Sequence, residues 1–255
     1  MIVLKRPHEI EKMKAAGQIV ARILDAVEEA VQPGITTWDL EAIADRMVNE
    51  AGARAAFKGY RVGRQVFPCC LCISVNHEVV HGIPSPDYVL KEGDIVSVDM
   101  GVQKDGYYGD SARTIPVGQV SEQTETLLRV TRESLMKGIA KMTTKHRLED
   151  IGAAVQQHAE AAGFSIVRDF VGHGIGRNLH ESPQVPNYGT PGRGRRLKAG
   201  MVLAVEPMVN VGTHEVKVLS DGWTVVTRDH QLSAHFEHTV AITDNGPQIL
   251  TLSQR

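Results

Sequence analysis

Apolar and polar residues alternate along this chain in patterns that predict four helices and several buried strands. Four segments repeat apolar residues every three or four positions, which is the period of an α-helix. These predicted helices cover residues 7–31, 37–51, 121–141 and 147–162. Two shorter and almost wholly apolar runs, 95–102 and 201–205, predict buried strands. The pattern favours a mixed α/β (α+β) fold, in which helices cover a curved, mainly antiparallel sheet.

Three segments recur in the same order in the two halves of the chain. The matches are 39–52 with 150–163, 81–83 with 173–175, and 90–99 with 197–206. The second match aligns His81 with His173, and the third aligns Asp99 with Glu206. Ordered repeats of this kind indicate duplication. We therefore expect one domain, residues 1–255, built with pseudo-twofold symmetry from halves of roughly 1–117 and 118–255, with a site between them.

The composition narrows the class of protein. The chain has 255 residues, of which 42% are apolar, and a formal net charge of −2. This charge excludes the broad electropositive field that dominates binding to nucleic acid or to an anionic membrane. Charge and proline interrupt the N-terminus before signal-peptide length, and Cys69, Cys70 and Cys72 crowd one apolar stretch. We expect a cytoplasmic protein with reduced, structural thiols and no membrane partner.

Two aspartates flank a predicted hairpin. Asp99 lies near the end of a β-rich run, and Asp110 follows the Asp105-Gly106 turn signal. A two-residue turn places Asp99 opposite Ala112, with Asp110 diagonally across on the same face. An arbitrary pair of aspartates more often lies in a turn or in solvent. In so apolar a strand, however, a buried like-charge pair is costly unless cations neutralise it, and a metal is the simplest neutraliser.

Three further residues extend this candidate metal set. Glu206 ends an apolar run just before Pro207, Glu237 shares a predicted strand face with Thr239, and His173 lies between glycines. Taken singly, each is more often a surface or structural residue. Together with the two aspartates, they form an oxygen-rich set with one nitrogen. Such a set suits two divalent ions that share bridging carboxylates at about 3.5–4 Å.

These residues and their surroundings resemble the methionine aminopeptidase family of dinuclear "pita-bread" hydrolases, and in particular its short bacterial type I. The resemblance covers essentially the whole chain. It is carried by seven short stretches in a fixed order, each weak alone. The stretches are Cys72-Ile73-Ser74-Val75-Asn76, His81-Gly82-Ile83-Pro84, Gly93 through Asp99, Gly109-Asp110-Ser111-Ala112, Gly172-His173-Gly174-Ile175-Gly176, Val205-Glu206-Pro207 and Phe236-Glu237-His238-Thr239.

The resemblance implies a specific distribution of ligands between two divalent ions. Asp110, His173, Glu206 and Glu237 would hold one ion, and Asp99 would hold the other together with the bridging Asp110 and Glu237. Cobalt, manganese, iron and zinc can all accept such ligands, so the sequence leaves the identity of the metal open.

The resemblance also implies metal-assisted peptide hydrolysis. In it, His81 would hydrogen-bond near the departing amide nitrogen, His180 near the carbonyl, and Glu206 would pass a proton onward. The candidates for the walls of a methionine pocket are Tyr60, Phe67, Cys72, Leu179 and Trp223. The chain departs from the family there: Leu179 stands where relatives often carry an aromatic residue, and residues 61–66 interrupt a stretch that usually supplies paired tyrosines.

The implied function is removal of the initiator methionine from nascent proteins when the next residue is small. The implied partner is the N-terminal peptide of those proteins, and the sequence leaves a contact with the ribosome open. We expect a monomer without specific nucleic-acid binding. One alternative is an Xaa-Pro peptidase of the same fold, although these normally carry a further N-terminal domain for which 255 residues leave no room. The other is a non-catalytic peptide-binding module, a class that typically loses ligands.

Overall fold

The computed structural model describes residues 2–253, so residues 1, 254 and 255 of the predicted domain lie outside the described residues. Within this range the chain forms four α-helices. They are α1 (Pro7–Ala30), α2 (Thr37–Glu50), α3 (Glu122–Ala140) and α4 (Leu148–Ala161). All four predicted helices are confirmed, and each boundary is right to within one residue.

Seventeen strands accompany these helices over the described residues. They are β1 (Arg54–Ala55), β2 (Arg61–Val62), β3 (Gln65–Val66), β4 (Leu71–Val75), β5 (Glu78–Val80), β6 (Ile95–Lys104), β7 (Tyr107–Pro116), β8 (Ser165–Ile166), β9 (Gly172–Gly174), β10 (Glu181–Val185), β11 (Val202–Val205), β12 (Met208–Asn210), β13 (Val216–Val218), β14 (Val225–Thr227), β15 (Ser233–His235), β16 (His238–Thr243) and β17 (Gly246–Ile249). Every strand pairing within the described range is antiparallel. The mixed α/β class with antiparallel pairing is therefore confirmed.

The strands divide between two main sheets and three smaller ones. The first half holds a four-stranded sheet of β1, β4, β6 and β7, and the second half holds a five-stranded sheet in the order β10-β9-β11-β16-β17. In each half two helices precede the main sheet strands that carry the candidate ligands. The order of elements in the two halves therefore matches the repeat seen in the sequence.

The matched helices α2 and α4 begin in the same way. Asp39 in the first turn of α2 accepts the backbone N–H of Thr36 at 2.9 Å, and the corresponding Asp150 of α4 accepts that of Arg147 at 2.6 Å. A carboxylate that reaches back to the residue before the helix satisfies a backbone donor otherwise left without a partner. The equivalent residues of the repeat therefore have the same local role.

The strand that carries Asp99 and the strand that ends before Glu206 also begin in the same way. Each is preceded by a glycine in the left-handed region, Gly93 (φ 88°) and Gly200 (φ 89°) respectively. The match of His81 with His173 does not extend to conformation. His173 lies in β9, whereas His81 lies in a loop after β5 with φ 61°. The repeat therefore predicts the strand entries but not the backbone around His81.

Helices cover one face of the first sheet and leave its other face for the site. Val96, Val98 and Met100 of β6 belong to a buried cluster with apolar residues of α1 and α2. Because successive side chains of a strand point to opposite faces, the intervening Asp99 points away from these helices. Burial of the apolar face thus determines the direction of the carboxylate.

The second sheet follows the same rule. Leu203 and Val205 of β11 and Val240 of β16 pack in a buried cluster with apolar residues of α3 and α4. Glu206 and Thr239, one position along from these residues, fall on the opposite face. The predicted alternation is therefore confirmed for Thr239 and Val240 within β16, whereas Glu237 lies just before this strand and not in it. Asp99, Glu206 and Thr239 lie on faces turned away from the helices.

The two main sheets meet where β7 runs beside the segment that leads into β16. The backbone N–H of Glu237 donates to Ala112 O at 2.9 Å, and that of Ala112 donates to Glu237 O at 3.4 Å. The Thr239 hydroxyl accepts from Asp110 N at 3.0 Å and donates to Asp110 O at 2.8 Å. These hydrogen bonds place ligand candidates of both halves side by side.

Among the helices of residues 2–253, none combines the length and the apolar character that a membrane span requires.

Candidate metal-binding active site

The β6–β7 hairpin brings Asp99 and Asp110 to one face. Asp99 lies opposite Ala112 and Asp110 opposite Gly101, which confirms the register predicted from the Asp105-Gly106 turn. A Cβ atom at Gly101 would lie 3.2 Å from Asp110 Oδ1 and 2.9 Å from the Cβ of Ala56. Glycine at this position therefore leaves the space that the Asp110 carboxylate occupies.

Glu206 and Glu237 enter from the ends of strands in the second half. Glu206 follows β11, and the side-chain amide of Asn187 donates to its carbonyl oxygen at 3.0 Å. Glu237 lies between β15 and β16 and is only 2% exposed. A fully buried carboxylate is rare without a partner of opposite charge. Its burial therefore marks Glu237 as more than an ordinary surface residue.

His173 is held in one tautomer that turns an unprotonated nitrogen toward the carboxylates. Its Nδ1 lies 2.9 Å from the carbonyl oxygen of Gly174, and since a carbonyl only accepts, Nδ1 carries the proton. Nε2 lies 3.6 Å from Glu206 Oε1 and 3.9 Å from Asp110 Oδ2. A histidine whose second nitrogen is fixed in this way is the usual arrangement of a metal-ligating imidazole.

The four carboxylates disfavour one another's ionisation. Burial raises the pKa of Asp110 to about 7. Burial, followed by the charge of Asp110, also raises the pKa of Asp99, Glu206 and Glu237 well above their ordinary values. Like charges brought together out of water have this effect unless a cation is present. A cation bound among these carboxylates would therefore favour their ionised forms.

Unsatisfied oxygens show that the residues fit divalent metal ions. Within the described residues, Asp99 Oδ1, Asp110 Oδ1 and Glu237 Oε1 are buried and have no hydrogen-bond partner. Asp110, His173 and Glu237 offer ligand atoms that all lie within 4.8 Å of one another. Buried polar atoms are normally satisfied, and carboxylate oxygens with one imidazole nitrogen suit divalent transition metals. A bound cation would satisfy all three oxygens.

Two histidines flank this cluster, and neither has a carboxylate partner among residues 2–253. The ring of His81 meets Phe170 edge to face at 5.6 Å, and that of His180 meets His173 at 4.4 Å. Desolvation, followed by the nearby His180, lowers the pKa of His81 to about 4. His81 is therefore neutral at pH 7, which lets it act as a hydrogen-bond partner without adding charge.

A pocket of about 250 Å³ opens onto the carboxylates. All the ligand candidates, both flanking histidines and every predicted wall residue line it; the wall residues are Tyr60, Phe67, Cys72, Leu179 and Trp223. Phe67 and Trp223 meet edge to face with ring centroids 5.3 Å apart. Phe57 and Val62 also line the pocket. Neither was predicted as a wall residue, because Phe57 lies outside every motif and repeat and Val62 lies in the stretch 61–66 that departs from the family pattern.

The departure at residues 61–66 forms a small hairpin, β2–β3, of which Val62 lines the pocket. Phe67 N donates to Tyr60 O at 2.9 Å, and Gly59 N donates to Phe67 O at 2.8 Å. Tyr60 and Phe67 are therefore neighbours at the base of this hairpin although six residues separate them. The interruption leaves both aromatic rings in the pocket lining.

A buried imidazole close to Glu206, that of His235, is not among the residues predicted for the site. His235 is 1% exposed, and its Nε2 lies 4.0 Å from Glu206 Oε2 without a hydrogen-bond partner among the described residues. Burial lowers its pKa to about 3, so it is neutral at pH 7. Its place in the stretch that contains Glu237 and His238 was the available signal.

Comparisons with known proteins agree with this geometry. Residues 11–244 match the model of metallopeptidase family M24. A curated methionine aminopeptidase of Clostridium perfringens is 56% identical over 252 residues, which are 99% of each chain. The crystal structure of methionine aminopeptidase from Thermotoga maritima superposes with a TM-score of 0.95 at 50% identity, covering 98% of this chain and 99% of that one.

A more distant structure shares the fold alone. The prolidase from Pyrococcus furiosus gives a TM-score of 0.77 at 23% identity and covers 99% of this chain but 66% of its own. The expected pita-bread fold is confirmed by both structures. The family match and the high identity to relatives over nearly their whole length show that this chain belongs to the M24 metallopeptidases and, within that family, to the methionine aminopeptidases.

Proposed function

We propose that this chain hydrolyses the peptide bond after an N-terminal methionine when the following residue is small, using two divalent metal ions. The observation that carries the proposal is a pocket with apolar walls that ends on four carboxylates and one oriented imidazole. Asp110 and Glu237 are buried, and Asp99 and Glu206 are partly buried. Membership of the M24 metallopeptidases implies divalent metals. A flexible apolar side chain such as methionine suits a pocket of sulfur, aliphatic and aromatic groups.

The proposed ligands divide between two ions. Asp110, His173, Glu206 and Glu237 would hold one, and Asp99 with the bridging Asp110 and Glu237 would hold the other. At this site divalent ions would lower the pKa of a water molecule and act as Lewis acids toward a carbonyl oxygen. The unsatisfied oxygens of Asp99, Asp110 and Glu237 support this division. Cobalt, manganese, iron and zinc all remain candidates, because the donor set accepts each of them.

The remaining steps belong to side chains of the chain itself. Glu206 accepts the proton that the attacking water loses and passes it toward the departing amine. His81, neutral at pH 7, hydrogen-bonds near the amide nitrogen, and His180 donates to the carbonyl oxygen as negative charge develops there. The carboxylates attract the free α-amino group, which accounts for restriction to N-terminal residues.

We further propose that residues 1–117 and 118–255 act as one catalytic unit. Asp99 and Asp110 come from the first half, whereas His173, Glu206 and Glu237 come from the second. The hydrogen bonds between Ala112 and Glu237 support this proposal because they join the halves within the ligand cluster. Either half alone should bind a divalent metal poorly, since it carries an incomplete set of ligands.

The setting of this activity is also a proposal. The three buried cysteines are unpaired, which suits a reducing cytoplasm. We propose that the chain acts there as a monomer on nascent proteins, and the substrate brings it to the ribosome. Light scattering on the purified chain tests whether it is a monomer in solution. Cosedimentation with ribosomes tests whether it binds them.

A peptide assay tests the function. The purified chain, given manganese, cobalt, iron or zinc in turn, should release methionine from Met-Ala-Ser and should spare an Ala-Pro-Ser peptide. Cleavage of the proline peptide alone would assign the chain to Xaa-Pro peptidases. Absence of cleavage with every metal would favour a peptide-binding module without catalysis.

A matched pair of histidine variants tests the assigned roles. His81→Ala should retain its metal by elemental analysis and lose about 10²-fold in turnover, because it removes a hydrogen-bonding group of acid–base type. His214→Ala, in an exposed loop, should leave both unchanged. Loss of metal from His81→Ala would contradict the role given to His81.

A further inference from the structure

Tyr60 and His180 meet at the mouth of the pocket. The hydroxyl of Tyr60 lies 3.0 Å from His180 Nδ1, and the two rings pack edge to face with centroids 5.5 Å apart. On its other side His180 packs against the His173 ring at 4.4 Å. The His180 ring therefore lies between a phenol and a second imidazole.

We propose that Tyr60 is a positioning residue that fixes His180 in the tautomer with its proton on Nε2. This inference rests on the proposed function, in which His180 donates to the scissile carbonyl. A neutral imidazole carries one N–H, and its other nitrogen accepts. A phenol hydroxyl is a stronger acid than a neutral imidazole N–H, and imidazole nitrogen is a stronger base than phenol oxygen. The hydroxyl therefore donates to Nδ1, and the ring proton sits on Nε2.

The neighbouring His173 carries its proton on the other nitrogen. Its Nδ1 donates to Gly174 O and leaves Nε2 unprotonated toward Asp110 and Glu206. Two imidazoles in contact thus have opposite roles, one as an electron-pair donor and one as a hydrogen-bond donor. The partner of Nδ1 decides which role each ring takes, since this partner is a carbonyl for His173 and a hydroxyl for His180.

The small hairpin explains why the Tyr60 hydroxyl is held in place although the side chain is 37% exposed. Tyr60 N donates to Phe57 O at 2.8 Å, and Tyr60 O accepts from Phe67 N at 2.9 Å. At the far end, the side-chain amide of Gln65 donates to Asp221 O at 3.4 Å. The backbone of Tyr60 is therefore fixed on both sides, which limits the entropy lost when its hydroxyl orients His180.

Loss of the hydroxyl should release the Nδ1-protonated tautomer. In that form Nε2 presents a lone pair to the carbonyl oxygen, and two acceptors facing one another repel. Tyr60→Phe keeps the aromatic ring and should lower kcat by about 3- to 10-fold, the usual net effect of one neutral hydrogen bond. The KM for Met-Ala-Ser should stay nearly constant because the apolar wall remains. Tyr60→Ala should in addition raise KM.

Nitrogen NMR of the full, zinc-loaded chain with ¹⁵N-labelled histidine provides a readout that does not depend on activity. Of its 11 histidines, His180 is assigned by the signals that vanish in His180→Gln. In the wild type, its Nε2 should show the shift of a protonated nitrogen and its Nδ1 that of an unprotonated one. In Tyr60→Phe the two shifts should move toward each other. Tyr88→Phe, an exposed tyrosine in another loop, is the matched control.

A double-mutant cycle completes the test. Tyr60→Phe should cause no further loss of kcat in the His180→Gln background, because Tyr60 acts through His180. A wild-type ring protonated on Nδ1, unchanged His180 shifts in Tyr60→Phe, or a kcat equal to that of the wild type each overturns the proposal. If the wild type releases no methionine, the proposed function fails, while the tautomer signals still decide the role of Tyr60.

Discussion

Cys72 lies directly opposite Asp99 in the antiparallel pair of β4 and β6. On its other side Asp99 faces Ala112, which in turn exchanges hydrogen bonds with Glu237. Directly opposed side chains share one face of a sheet. A single row of residues therefore connects a wall of the apolar pocket with two candidate metal ligands, so the same strands would position the proposed substrate side chain and the proposed metals.

The cysteine in this row should be unreactive. Burial, followed by the charges of Asp99 and Asp110, raises the pKa of the Cys72 thiol well above its usual range, and burial raises that of Cys69 to about 11. Because only the thiolate reacts, iodoacetamide at pH 8 should modify the native chain about 10²-fold more slowly than the chain in urea. Mass spectrometry over time measures both rates. Equal rates for Cys72 in the two states would contradict this prediction.

The contribution of Asp110 to the stability of the metal-free chain should fall as pH rises toward neutrality. Burial raises the pKa of Asp110 from 3.8 to about 7 in the folded state, so between these values the folded state binds a proton that the unfolded state has released. The stability associated with this proton is fully present below about pH 4 and is lost as pH rises through about 7.

Asp110→Asn isolates this effect. In EDTA, the variant should gain stability relative to the wild type as the pH rises from 4 to 8, by a few kcal/mol, because the amide does not ionise. Urea unfolding at several pH values measures the difference in the free energy of unfolding between variant and wild type. The buried histidines contribute to this free energy with the opposite pH dependence, and their contributions cancel because both proteins contain them. A difference independent of pH would show that Asp110 does not retain its proton in the folded state.

Divalent metal should stabilise the wild type and not a ligand variant. A metal at about 100 times its Kd raises the free energy of unfolding by about 2.7 kcal/mol when only the folded state binds it. Glu237→Gln removes a carboxylate that is 2% exposed and should lose most of this gain, measured as the shift in Tm between EDTA and manganese. Glu122→Gln, at an exposed position of α3, should keep the full shift.

Gly82 should tolerate no side chain. A Cβ atom there would collide with the carbonyl oxygen of Ile73, and the backbone of Ser74 lies 3.0 Å away. Gly82→Ala should therefore displace β4 or the adjacent His81, cost about 1–3 kcal/mol of stability and lower turnover. Asp87→Ala, exposed in the same loop, is the control. Urea unfolding and the peptide assay measure the two effects, and a fully active, stable Gly82→Ala would refute the close approach.

Local patterns in the sequence were sufficient for the helices, the β6–β7 register, the strand that carries Asp99 and the strand that ends just before Glu206. Helical periodicity, turn residues and apolar alternation report which face of an element is buried, and in a strand the buried face determines the direction of the next side chain. The ligand candidates could be named from such signals because each carboxylate ends or interrupts an apolar run. Their assembly around one pocket agrees with the resemblance to a known family.

Only the tertiary structure decided which distant segments meet. The pairing of Ala112 with Glu237 joins strands from different halves, and no local pattern specifies a contact across so many residues. The same holds for Phe57 and for the hydroxyl of Tyr60 against His180, since their positions follow from how a hairpin packs beside another loop. The sequence by itself determined the chemical groups and the faces they occupy, whereas long-range packing decided their distances, their neighbours and the tautomers that hydrogen bonding selects.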